Sequence, residues 1–107
     1  MRKLMTIFTM LGALSGLGLA ETWSGTLLDA DCYHRHQDTK ACDAKRSTTA
    51  FLLDSNGVKY RLDFRSNDEA RSAVMELHNH KATPITATIT GRTRSNGKIR
   101  GDIIAVQ

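Results

Sequence analysis

Two cysteines and two histidines share one short stretch, C-Y-H-R-H-Q-D-T-K-A-C, from Cys32 to Cys42. These residue types support three chemistries. Cys32, His34, His36 and Cys42 can form a tetrahedral set for zinc or copper. The two thiols can act as a redox pair, or they can close a disulfide. The spacing C-x-H-x-H-x5-C is not among the common zinc patterns, which favour C-x2-4-C and H-x3-5-H. Residues i and i+2 share a side only in extended chain, so His34 and His36 converge only if Arg35 between them is extended. Redox pairs are usually closer, as in C-x-x-C, and nothing in the sequence suggests a lowered thiol pKa. A disulfide withdraws both thiolates from a metal. Closing a loop of this length is worth about 2.8 kcal/mol by the chain-entropy estimate. The disulfide is therefore the expectation, and a zinc or copper site using His34, His36, Cys32 and Cys42 is the alternative.

The compartment bears on that choice. The chain opens M-R-K, then carries an uncharged run over residues 4–19 that ends in Gly18-Leu19-Ala20 before a polar Glu21. A basic start, an apolar stretch and small residues before the cut describe a secretory signal peptide, cleaved after Ala20. The run is shorter than the roughly 20 apolar residues of a membrane span, and Gly12, Gly16 and Gly18 interrupt it. No membrane span is expected after cleavage. Residues 21–107 are then one domain, expected to be monomeric and to reside in the periplasm or outside the cell. Exported domains of this size are marginally stable and often carry a disulfide. Arg2 and Lys3 belong to the removed segment. Of the 15 Lys and Arg, 13 remain against 11 Asp and Glu, a formal charge of +2.

Residues 22–28 alternate, with Trp23, Gly25 and Leu27 on one face, and read as a strand. Residues 29–47 are polar and read as a long loop. Residues 48–54 and 58–64 read as two strands joined by Ser55-Asn56-Gly57, a hairpin. Ser66 and Glu69 have the form of a capping box. Ala70, Ala73, Val74 and Leu77 follow at helical spacing, so a helix is expected to run to about residues 78–80, before Pro84. Residues 85–90 and 98–106 form a second hairpin around Ser95-Asn96-Gly97. The order β-β-β-α-β-β is that of an OB-fold, a five-stranded, partly open barrel. Gly25 and Gly91 suit strands that must curl. The alternative is an open α+β sheet with the helix on one face.

This fold sorts the remaining candidates. Lys59, Arg61, Asp63 and Arg65 alternate onto one face, and Arg92, Arg94, Lys98 and Arg100 cluster at the second turn. OB-folds bind oligonucleotides and sugars on the face of strands two and three. Arg61, Arg92 and Arg94 are thus the candidate ligand residues, beside the alternative of a merely solvated surface. The ligand expected is an anionic glycan or a lipid headgroup. Nucleic acid is not expected, because Tyr60 and Phe64 alternate toward the core instead of offering stacking platforms among the basic residues. Trp23 reads as a barrel plug. His78 and His80 form a second H-x-H pair, which also suits a helix C-terminus. Asp29, Asp31, Asp38 and Asp43 crowd the first loop without the spacing of an EF-hand. The sequence holds no nucleophile elbow, phosphate loop or H-E-x-x-H motif. An enzyme has no positive support, and no cofactor is expected apart from the alternative metal.

Residues 23–32, W-S-G-T-L-L-D-A-D-C, resemble the start of small exported bacterial proteins of uncharacterised function that open W-x-G-x-L-x-D-x-x-C. These proteins also carry a V-T-x-T-x-x-G strand, matched here by I-T-A-T-I-T-G over residues 85–91. The element order is similar to that of the periplasmic bacterial OB-fold family, linked to stress tolerance and ligand binding. The resemblance implies a fold and a compartment and carries over no catalytic residue.

Overall fold

Alternation marks part of the sheet, because successive side chains of an extended chain face opposite sides, whereas Phe51–Ser55 is buried on both faces. A computed structural model describes residues 20–77 and 84–107. The strands are β1 (Glu21–Asp29), β2 (Phe51–Ser55), β3 (Val58–Arg61), β4 (Thr86–Thr93) and β5 (Ile99–Val106). They form one sheet in the order β3-β2-β1-β4-β5, with every neighbouring pair antiparallel. Helix α1 (Ala30–His36) lies between β1 and β2, and helix α2 (Phe64–Met75) between β3 and β4. The two edges of the sheet meet at one place. Leu62 bridges Ile99 in parallel, and the Asp63 N–H donates to the Ile99 carbonyl at 2.9 Å. The result is a five-stranded, partly open barrel of OB type with a helix entering between the third and fourth strands.

Inward residues of the strands and of the chain at their ends fill the barrel: Leu27, Phe51, Leu53, Leu62, Ile85, Ile89 and Ile99 are buried together. Side chains of this size contribute roughly 1.5–3 kcal/mol each when removed from water. Trp23 and Tyr60 pack against this core with ring centroids 5.9 Å apart. In α2 a stripe of Ser66, Ala70 and Val74, spaced four apart, is buried. Both turns follow their residues. Asn56 and Gly57 take φ of 51° and 84°, the mirror-image turn that suits a two-residue hairpin. Gly97, at φ 83°, closes the three-residue turn, with its N–H donating to the Arg94 carbonyl.

Several elements differ from the sequence expectation. The segment over residues 29–47 is not all loop, since α1 forms within it. Asp29 caps α1, its Oδ1 accepting from the Cys32 N–H at 3.0 Å. At the other end Gln37 adopts a left-handed φ of 56°. β2 starts at Phe51 instead of residue 48, and β3 stops at Arg61 instead of residue 64. The helix cap is Asp63, not Ser66: its Oδ1 accepts from the Ser66 N–H at 2.9 Å. Helix α2 ends at Met75. His78, Asn79 and His80 lie outside the described residues, as does the expected signal segment apart from Ala20. Among the described residues no helix is long and apolar enough to cross a membrane.

Candidate functional site

The first loop covers one face of the barrel. Leu28 and Leu52 are cross-strand partners on the outer face, yet both are buried. The cover is α1 with the chain that returns from it. Tyr33 of α1 meets the Lys59 side chain of β3, whose Nζ lies 5.6 Å from its ring centroid. The returning chain runs along β1, where the Asp29 N–H donates to Cys42 and the Ala44 N–H donates to Leu27. Cys32 and Cys42 form a disulfide, with Cα atoms 5.5 Å apart. Further ties hold the loop. Asn67 of α2 donates to the Thr49 carbonyl and accepts from the Phe51 N–H, both at 2.8 Å. Arg46 Nη2 donates to the Met75 carbonyl at 2.9 Å, a cation at a helix C-terminus, where the dipole favours it.

This geometry does not form the four-ligand metal set. Both sulfurs are spent on each other. His34 and His36 occupy the last turn of α1, where positions two apart point about 200° away from each other. Among the described residues no three or more His, Cys, Asp or Glu are placed to hold one metal ion. The first-loop aspartates have other work. Asp29 caps α1 and accepts from the Thr48 hydroxyl at 3.2 Å. Asp38 accepts from the Lys40 and Ala41 N–H groups.

The closing seam gathers the basic residues that the sequence shows as two separate groups. Leu62 and Ile99 face inward at the bridge, so Arg61 on one chain and Lys98 and Arg100 on the other turn outward side by side, while Asp63 stays buried beside them. Arg92 is the cross-strand partner of Arg100 and shares its face. Arg94 reaches across from the turn, with Nη1 3.2 Å from Asp63 Oδ2. Arg61, Arg92 and Arg94 are all exposed. The acids nearby are engaged: Asp63 holds Arg94 and caps α2, and Asp102 Oδ1 lies 3.9 Å from Arg100 Nε. Among the described residues Arg61, Arg92 and Lys98 form no ion pair. Lys59 turns away from this group, with Nζ 3.7 Å from Asp54 under Tyr33, and Arg65 lies 3.8 Å from Glu69.

The seam is held by a small clasp built on Asp63 and Ser66. Ser66 is fully buried, and its Oγ accepts from the Gly101 N–H at 2.7 Å. Burial of Asp63 would by itself raise its carboxyl pKa. Hydrogen bonds from the Ser66 N–H and hydroxyl, then the hydrogen bond and charge of Arg94, outweigh burial and hold the pKa below the usual value. A carboxyl depressed in the folded state adds stability at pH above its unfolded value of about 3.9, and that stability is lost as pH falls through the folded value. Asp63→Asn keeps a capping oxygen and removes the charge. The wild type is therefore expected to lose stability below about pH 4 more steeply than Asp63→Asn, as read by urea midpoints across pH. Parallel curves for the two proteins would contradict the role given to Asp63.

One aromatic was misplaced by alternation. Tyr60 packs against the core, but Phe64, expected inward, opens α2 and is 90% exposed. The cause is the early end of β3: once Asp63 caps a helix, the period changes from two to 3.6 and the next side chain leaves the barrel face. Among known proteins the chain matches no family model, no curated protein and no solved structure, so its function is read from this seam.

Proposed function

We propose that the protein is an exported binding module of OB type that holds an anionic component of the cell envelope, a glycan or lipid carrying carboxylate or phosphate. The carrying observation is the seam, where Arg61, Arg92 and Lys98, which form no ion pair among the described residues, are brought to one outward surface with Arg100, itself beside Asp102. Such a surface favours a polyanion, which meets several cations at once. A small neutral ligand gains nothing from it. On the strands, Lys59 is drawn against Tyr33 and Asp54, whereas Arg61, Arg92 and Arg100 of the seam are exposed. The disulfide and the apolar N-terminal run support an oxidising compartment outside the cytoplasm.

Binding of the purified domain to polygalacturonate and to vesicles containing phosphatidylglycerol tests this reading. At least one of the two is expected to bind, and raising the salt from about one-twentieth to one-fifth molar is expected to weaken it strongly. Arg61→Gln and Arg92→Gln are each expected to weaken binding by about two- to fivefold, the effect of a rim charge worth up to about 1 kcal/mol. Binding to neither polyanion, or binding indifferent to salt and to both substitutions, would refute it.

A further inference from the structure

Phe64 stands beside the cationic seam and touches almost nothing. Single exposed apolar residues are ordinary on a protein surface, and Val58, Met75 and Ile103 are further instances, 49%, 51% and 66% exposed. Phe64 differs in degree, at 90%, and in place. It follows Asp63, whose carboxylate holds Arg94 and whose N–H is bonded to Ile99, the neighbour of Arg100. Arg65 comes next in the chain. Among the described residues the largest exposed apolar side chain thus follows directly on the residue that anchors the cationic seam.

We propose that the seam docks on an anionic lipid surface, with Phe64 as the side chain that enters the headgroup region. This rests on the reading of the seam as a polyanion site and names the polyanion. Charge complementarity selects the surface, since clustered Lys and Arg are attracted to acidic headgroups within about a Debye length. Exposure selects the mode. A ring that serves as a sugar platform in a groove is part-covered by the walls that hold it flat. A ring 90% exposed protrudes, and a protruding phenyl gains by leaving water for the interface. Single-stranded nucleic acid wants successive stacking platforms along a basic groove, and the seam presents one.

The test uses the whole domain and two probes: vesicles of phosphatidylglycerol with phosphatidylcholine, and soluble polygalacturonate. Phe64→Ala is expected to weaken vesicle binding about tenfold, the effect of half-burying a phenyl group, and to leave polygalacturonate binding unchanged. Phe64 contributes almost no packing, so the variant is expected to melt with the wild type. Phe64→Trp is expected to keep vesicle binding and to shift its emission to the blue when vesicles are added, beyond any change from Trp23 in the wild type. Wild-type affinity for vesicles in Phe64→Ala, or unshifted emission in Phe64→Trp, overturns the proposal while leaving the seam reading standing. Binding of polygalacturonate but not vesicles does the same and favours a glycan. Binding of neither sinks both.

Discussion

Gly25→Ala and Gly91→Ala are each expected to lower stability by roughly 3 kcal/mol or more, measured as a shift in the urea midpoint. A Cβ on Gly25 would run into the carbonyl oxygen of Asp54 in β2, and one on Gly91 into that of Arg100 in β5. The obstacle is backbone on a paired strand, not the end of a flexible side chain. Relief requires the strands to part, and parting them breaks ladder hydrogen bonds and opens the core. Gly91 also lies at the register shift between β4 and β5, the kind of irregularity that bends a strand locally. The controls are Gly57→Ala and Gly97→Ala. Each meets open space but has a positive φ, so each is expected to cost only about 1–2 kcal/mol of backbone strain. Equal losses at all four positions would contradict the tight curl assigned to β1 and β4.

Removing the disulfide is the second large effect. Cys32→Ser with Cys42→Ser is expected to cost about 2.8 kcal/mol from loop entropy alone, or roughly 10–20 °C in Tm for a domain of this size. Helix α1 has no buried residue of its own and is short, and isolated helices of that length do not persist in water. Without the bond its hold on the barrel rests on the Asp29 cap, the Ala30 N–H donated to the Ala50 carbonyl, the Tyr33–Lys59 contact and the pairing of residues 42–44 with β1. Opening the loop would expose Leu28 and Leu52 on the outer face. The barrel core, which takes only Ala44 from this segment, is expected to survive at low temperature. Hydrogen exchange should then rise at residues 30–44 while β4 and β5 stay protected. A double variant with unchanged Tm would show that the bond does not staple this loop.

The hairpins were legible because each has an S-N-G turn beside one alternating run, residues 58–64 in the first and 85–90 in the second. The interior of α2 was legible from Ala70 and Val74. Its start was not, because two caps compete within four residues. Ser66 with Glu69 has the capping-box form, but Asp63 takes the cap and Ser66 is drawn into the clasp with Gly101, a partner 35 residues away. Helix α1 left no apolar period to read, since it covers the barrel with Tyr33 and a disulfide instead of a hydrophobic stripe. The candidate arginines could be named from the chain, but their assembly could not. The Leu62–Ile99 bridge is a long-range pairing that no local pattern encodes, and it joins Arg61 to Lys98 and Arg100.

The proposed site depends on the position of its charges and not on their total, and a comparison at equal net charge tests that directly. Polyanion affinity is measured for the wild type, for Arg61→Gln with Arg92→Gln at the seam, and for Arg35→Gln with Arg71→Gln on the two helices. The seam pair is expected to weaken binding by about tenfold and the helix pair by less than about twofold. Equal losses from the two pairs would mean that the ligand senses only overall charge, and the seam would have no claim to be a site.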